Sequence, residues 1–172
     1  MGTFKIDADN FSWLTGEADD PQDLCLHGHV TVQIGNTVLE DMGTVSATAL
    51  YLLKTLTEDK VMSENEIQMI PCCGHSLFAN KDLTEVMISG CNKGTDWTTI
   101  HVGDHIKIIL PSGQEELLEA DAYKEEVFRF ADKVEAYYQA CSPKEIQSKH
   151  EIDRNGYIAF WNEWHRRRGR QE

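Results

Sequence analysis

Apolar side chains recur with helical spacing in two segments of the chain. In the clearer one, Ala120 to Cys141, one face is apolar or aromatic and the opposite face is charged. The apolar positions are Tyr123, Val127, Phe130, Ala131, Val134, Tyr137, Tyr138 and Cys141. Pro143 follows, and proline disfavours helix at the residue before it. A second apolar stripe, from Thr44 to Thr57, predicts an earlier core helix.

Alternating apolar and polar positions predict the strands. From Leu24 to Ile34 every second residue is Leu, Val or Ile, apart from Gly28, and the residues between them are mostly polar. Gly35-Asn36 is typical of a two-residue hairpin turn, so Thr37–Glu40 is the expected returning strand. Further short strands are predicted at Phe4–Ile6, Phe11–Leu14, Glu66–Ile70, Glu85–Ser89, Trp97–Val102, His105–Leu110 and Glu115–Leu118.

The order of these elements indicates the fold class. Hairpin turns imply antiparallel pairing, and a helix does not follow every strand, which argues against a doubly wound parallel sheet. The sequence therefore predicts a single α+β domain over residues 1–172. We expect one twisted, mainly antiparallel sheet, with two core helices and a short C-terminal aromatic helix packed on it. Residues 19–21 and 142–155 are predicted loops.

The chain is strongly acidic. It has 29 Asp and Glu against 16 Lys and Arg, a net charge of -13. Such a surface repels phosphate backbones and anionic lipids, so nucleic acid and membranes are disfavoured as partners and a basic protein is favoured. The sequence starts without a basic segment followed by an apolar run, and the five cysteines are irregularly spaced. Both features predict a cytoplasmic protein with reduced thiols.

Two groups of residues are candidate metal ligands, with zinc as the candidate ion. Cys25, His27 and His29 alternate along a predicted strand and so fall on one face; the alternative is that they form the polar face of an amphipathic strand. Cys72, Cys73 and His75 surround a glycine, with Cys91 downstream. Adjacent cysteines on a strand point to opposite faces, so we expect at most one of Cys72 and Cys73 to serve a site unless the strand breaks at Gly74. The alternative is that these are buried structural cysteines.

A third group has the residue types of nucleophilic catalysis. Cys91, Asp96 and His101 lie near a Gly-containing loop, and a histidine oriented by an aspartate can activate a thiol. The alternative is a turn between two strands, which explains Asp96 without chemistry. No phosphate-binding loop, dinucleotide fingerprint, nucleophile elbow or calcium loop is present in the sequence.

The C-terminal segment combines aromatic and basic residues. Tyr157, Phe160, Trp161 and Trp164 give a short helix that is apolar on most of its circumference, so Trp161 and Trp164 are predicted to be buried against the sheet. Trp164, Arg166, Arg167 and Arg168 are candidate interface residues. The alternative is that the arginines stabilise the helix C-terminus and pair with carboxylates of the same chain or of a second copy.

The absence of a catalytic signature favours a non-enzymatic role. The combination of features is similar to that of many bacterial accessory proteins, including antitoxin and immunity proteins that bind basic effectors, although no motif of such a family is present. The leading hypothesis is an acidic module of the immunity or inhibitor type for a basic partner. The rivals are a metal- or thiol-dependent enzyme that uses the Cys, His and Asp candidates, and a structural subunit of a larger assembly.

Overall fold

The alternating segments form strands, and every strand pair in the described part of the chain is antiparallel. The computed structural model describes residues 2–74 and 76–170. The strands are β1 Phe4–Ser12, β2 His27–Ile34, β3 Thr37–Thr44, β4 Ile70–Pro71, β5 Ser76–Ala79, β6 Val86–Ser89, β7 Gly94–Thr95, β8 Thr98–Val102, β9 His105–Ile109 and β10 Glu115–Glu119. The helices are α1 Val45–Lys54, α2 Ala120–Ala140 and α3 Glu151–Arg168, with a 3-10 turn at Ile146–Ser148. The α+β prediction is confirmed.

The strands are divided among several sheets rather than joined in the one sheet that we expected. One sheet has the order β1-β2-β3 and a second has the order β10-β9-β8, while β4 pairs with β7 and β5 pairs with β6. In β2 the residues Val30, Val32 and Ile34 are fully buried, as the alternation predicts. The two predicted strands near the N-terminus are one strand, β1, whose register shifts between Asp9 and Ser12.

Helix α2 presents the predicted face to the core. Its buried residues include Tyr123, Val127, Phe130 and Val134, and it packs against α1 and β1. Helix α1 is buried on nearly its whole circumference, because it lies between the β1-β2-β3 sheet and the other two helices. The apolar faces of α1 and α2, both predicted from the sequence, therefore pack in the same core.

Helix α3 is longer than predicted. It begins at Glu151, inside the segment that was expected to be a loop, and its first turn carries Glu151 and Asp153, whose charges suit a helix N-terminus. The helix packs against β5 and β6. At Gly156 a Cβ would lie 2.1 Å from the Leu77 carbonyl oxygen, so only glycine permits this approach of helix to strand. No helix in the described ranges is long and apolar enough to cross a membrane.

Glu126 is a buried carboxylate that joins α2 to β1. It accepts a hydrogen bond from the Ile6 amide at 2.9 Å, and Arg129 donates to its two oxygens at 2.7 and 3.1 Å. Burial raises the pKa of this carboxyl, but the bonds from Arg129 and Ile6 outweigh burial and hold the pKa below its ordinary value. The ionised form of Glu126 therefore stabilises the folded state.

We expect acid to remove this stabilisation. Because the folded pKa is depressed, the contribution of Glu126 is present above its unfolded pKa and is lost as the pH falls through the folded pKa. Urea unfolding measured between about pH 6 and pH 3 checks this. Glu126→Gln is expected to depend less on pH across that range than the parent, whereas Glu125→Gln, at an exposed position of the same helix, is expected to match the parent. Parallel curves for the parent and Glu126→Gln would contradict the assignment.

Candidate metal centre

The pairs β4–β7 and β5–β6 are two parts of one interrupted hairpin. Ile70 pairs with Thr95 and Pro71 with Gly94; after a gap, Ser76 pairs with Ser89 and Ala79 with Val86. The register is the same on both sides of the gap, so the strands separate and then pair again without a slip. The amide of Cys72 still donates to the Lys93 carbonyl at 3.0 Å, which extends the first ladder by one step.

Cys72, Cys73 and Cys91 lie at this interruption. Because the ladder ends at Cys72, Cys73 is not held in the alternating geometry of a strand, and the sulfurs of both cysteines lie near Cys91 Sγ. The sequence allows both Cys72 and Cys73 to serve one site only if the strand breaks at Gly74, and the structure has such a break, which begins after Pro71. The close approach also needs Gly90, since a Cβ there would lie 1.7 Å from the Cys73 carbonyl oxygen.

The three sulfur atoms lie within 4.8 Å of one another. The backbone amide of Cys91 donates to Cys73 Sγ at 3.1 Å. Cys72 is exposed and the other two are partly exposed. The hydrogen bond from the Cys73 side chain lowers the pKa of the Cys91 thiol, and the hydrogen bond with Cys91 raises the pKa of Cys72. One thiolate thus makes the next harder to form, and a bound cation would relieve that repulsion.

Three thiolates are a donor set for a soft or borderline metal ion. Cysteine sulfur suits Zn²⁺ and Cu⁺, whereas Mg²⁺ and Ca²⁺ prefer oxygen. Structural zinc sites use four protein ligands, while catalytic sites use three and leave one position for water or substrate. Within the described residues, no other group of three or more His, Cys, Asp or Glu side chains brings its donor atoms this close together.

A surface cleft of about 490 Å³ opens beside Cys91. One wall is the end of β6 and the residues after it, from Met87 to Asn92. The other wall comes from α1 and the chain that follows it, including Tyr51, Lys54 and residues 64–67. One ligand of the candidate centre is therefore accessible to a small molecule.

Cys25, His27 and His29 are not brought together. Cys25 precedes β2 and is buried, and burial raises the pKa of its thiol to about 12, so it stays neutral. His29 lies on the outer face of the sheet, between Asp9 and Glu40 at 3.5 and 4.0 Å. His27 lies 4.0 Å from Asp23. The two histidines thus occupy the half-exposed face of β2, as the alternative interpretation of this strand expected.

Cys91, Asp96 and His101 have separate partners. Asp96 Oδ1 accepts hydrogen bonds from Lys60 and from the Met69 amide. His101 Nδ1 lies 2.7 Å from Asp59 Oδ1, and its amide donates to the same carboxylate. No hydrogen bond joins any two of the three candidates in the part of the chain that is described. Asp96 is a structural acceptor here, and His75 lies outside the described residues.

The C-terminal arginines pair with carboxylates of the same chain. Arg168 donates twice to Asp132, at 2.7 and 2.8 Å, and Arg167 donates to Glu163 at 2.8 Å and also contacts Glu58. Arg166 has a weaker, exposed contact with Glu85 at 3.5 Å. Trp164 is fully buried and donates to Glu135 at 3.2 Å, whereas Trp161 is only partly buried. The interface candidates from the sequence are Trp164, Arg166, Arg167 and Arg168, and of these only Arg166 is largely exposed.

The fold and the site together define an α+β protein with a three-cysteine cluster in an interrupted hairpin. No family model, curated protein or solved structure matches this chain. The chemistry of the cysteine cluster is therefore the guide to the function of this chain.

The sequence places Cys72, Cys73 and His75 in one candidate metal group with Cys91 downstream, and it also makes Cys91 a catalytic candidate. The alternation of a strand argues against a shared role for Cys72 and Cys73. The structure brings Cys72, Cys73 and Cys91 together because they lie on both strands of the gap between β4–β7 and β5–β6.

Proposed function

We propose that this protein binds Zn²⁺ through the thiolates of Cys72, Cys73 and Cys91. The observation that carries the proposal is the convergence of three sulfurs within 4.8 Å at a gap in a hairpin that keeps its register on both sides. Zn²⁺ with three thiolates carries a net charge of -1, so the ion would neutralise most of the charge that the cluster gathers.

Three protein ligands leave one coordination position for water or a substrate, as in catalytic zinc sites. The cleft beside Cys91 would give a small molecule access to one side of the cluster. Among the two enzyme hypotheses, these features favour a metal-dependent one over a thiol nucleophile. The Cys-His-Asp mechanism that the sequence offered needs a base within hydrogen-bond reach of the cysteine, and neither Asp96 nor His101 bonds to Cys91.

We expect the reduced protein to retain about one zinc ion per chain after dialysis, because three preorganised thiolates bind Zn²⁺ tightly at neutral pH. Metal analysis gives the stoichiometry, and competition with a chromophoric chelator gives the affinity. Zinc affinity should fall at least about tenfold in each of three variants, Cys72→Ser, Cys73→Ser and Cys91→Ser. Losing a residue that only orients a metal ligand already lowers affinity about tenfold or more, so losing a ligand itself should cost no less.

Cys141→Ser is the matched control, since Cys141 is partly exposed but lies outside the cluster. It should bind zinc like the parent. His75→Ala tests separately whether the histidine that follows Cys72, Cys73 and Gly74 in the sequence contributes to zinc binding. If the parent holds no stoichiometric zinc while melting as a folded protein, or if Cys141→Ser weakens binding as much as the cluster variants do, the proposal is wrong.

A second proposal is an acidic module that binds a basic protein, of the immunity or inhibitor type. It is supported by the net charge of -13 and by the pairing of the C-terminal arginines within the chain, which leaves little free positive charge at that end. The same charge disfavours nucleic acid. Capture from a lysate at low and at high salt tests the proposal: a partner held only at low salt supports it, and salt-insensitive capture or none contradicts it.

We also propose that the protein works in the cytoplasm. All five cysteines are unpaired, which supports a reducing compartment. Three accessible thiolates also bind metal only while they stay reduced. Fractionation of cells that express the tagged chain is the test, and recovery outside the cytoplasm would contradict the assignment.

A further inference from the structure

We infer that the cysteine cluster is a redox-controlled metal site in which Cys73 and Cys91 form a reversible disulfide that releases the zinc ion. The release half of this inference rests on the proposed function. The disulfide half rests on the geometry of the interrupted hairpin alone. The two halves have separate measurements.

The geometry selects a bond across the hairpin. Consecutive Cα atoms are about 3.8 Å apart, below the range of about 4.4–6.8 Å that disulfides use, so Cys72 and Cys73 are poorly placed to join each other. Cys91 lies on the other strand of the hairpin. Its amide is 3.1 Å from Cys73 Sγ, and its neighbour Gly90 packs against the Cys73 carbonyl. Cys72 Sγ also lies within 4.8 Å of Cys91 Sγ, but the Cys72 backbone is held in the first ladder by its hydrogen bond to the Lys93 carbonyl, so Cys73 is the better placed partner.

The cluster is open to a small oxidant. None of its three cysteines is buried, and Cys91 lines the cleft. Cys25, by contrast, is only 3% exposed and is closed to such a reagent. The oxidant we name is a hydroperoxide, with hydrogen peroxide as the probe.

The reaction proceeds in two steps. A thiolate of Cys91 or Cys73 attacks a peroxide oxygen, the O–O bond breaks, and with one proton the products are a sulfenic acid and water. The thiolate of the other cysteine then attacks the sulfenic sulfur, and with a second proton it forms the S–S bond and releases a second water. Two thiolates lose two electrons in total, one peroxide gains them, and Zn²⁺ keeps its oxidation state.

The disulfide removes two of the three zinc ligands. A disulfide sulfur is a far poorer ligand than a thiolate, and one remaining thiolate at Cys72 does not hold the ion. A dithiol reductant reverses the reaction by exchange and restores the site. Only the reduced cluster would therefore hold a zinc ion with a free fourth coordination position.

The test uses the full chain, reduced and then freed of excess reductant, both with and without zinc. Hydrogen peroxide is added, zinc release is followed with a chromophoric chelator, and free thiols are blocked before disulfide mapping by mass spectrometry. We expect a Cys73–Cys91 disulfide in both samples, about one zinc released per disulfide, and recovery of zinc binding after dithiothreitol.

Variants separate this disulfide from the alternatives. Cys141→Ser should behave like the parent, Cys72→Ser without zinc should still form the disulfide, and Cys73→Ser should not form a disulfide within the cluster. Zinc retained while peroxide is consumed, or a mapped disulfide that uses Cys72 or Cys141, would overturn the inference. If the reduced parent binds no zinc, the proposed function and the release half both fail. Mapping in the metal-free sample then still decides the disulfide half.

Discussion

Glu163→Gln is expected to lower the free energy of unfolding by about 3–5 kcal/mol, the usual effect of removing one partner from a buried ion pair. The Glu163 side chain is fully buried in α3. It accepts a hydrogen bond from the Val86 amide of β6 at 2.8 Å and from Arg167 at 2.8 Å, and it lies 3.3 Å from the Lys54 ammonium of α1. In Glu163→Gln the cations of Lys54 and Arg167 would lie beside a neutral side chain that is closed to water.

Urea unfolding and the melting temperature measure this change. Since about 1 kcal/mol shifts the midpoint by roughly 2–4 °C in a domain of this size, the melting temperature should fall by at least about 6 °C. Glu85→Gln is the matched control, because Glu85 also pairs with an arginine of α3 but is exposed, and such pairs contribute about 0–1 kcal/mol. Equal effects of the two variants would show that burial of the carboxylate is not what matters.

Trp164→Ala is expected to cost about 3–5 kcal/mol, because Trp164 is fully buried and its removal leaves a large cavity. The ring packs against Phe160 and Trp161 at 5.5 and 5.2 Å between centroids, and Nε1 donates to the buried carboxylate of Glu135. Trp161→Ala should cost clearly less, since Trp161 is only partly buried. The prediction that both tryptophans are buried is thus confirmed for Trp164 and corrected for Trp161.

Chemical denaturation of both tryptophan variants checks the order. Trp164→Phe is a useful third variant, because it keeps most of the apolar volume while it loses the donor to Glu135 and part of the ring, so it should cost less than Trp164→Ala. A larger loss for Trp161→Ala than for Trp164→Ala would mean that the helix is held mainly by its partly exposed face.

The local elements could be predicted from the sequence because their signals are periodic and short-range. The buried face of α2 and the inward residues of β2 follow directly from the spacing of apolar positions. The start of α3 was missed because residues 142–155 are mostly polar. In the tertiary structure the helix extends back to Glu151, so that Gly156 lies against Leu77.

The C-terminal arginines show a different limit. A run of basic residues has the same sequence whether it faces solvent, a partner or the chain's own carboxylates. The tertiary structure brings Asp132 and Glu135 of α2 beside Arg168 and Arg170. These ion pairs neutralise the two arginines, and the amino-acid composition alone does not show them. Charge counts describe the whole molecule, whereas pairing depends on distances between residues far apart in the chain.

The sequence by itself determined the α+β class, the antiparallel pairing, the core faces and the acidic charge of this protein, because period-two and period-3.6 patterns and residue counts need no knowledge of long-range contacts. Only the tertiary structure decided the division of the strands among sheets and the union of Cys72, Cys73 and Cys91. The physical reason is that a cluster drawn from two strands depends on their register and on where the ladder opens. The short, interrupted strands at the gap carry too little alternating pattern for their alignment to be predicted from the sequence.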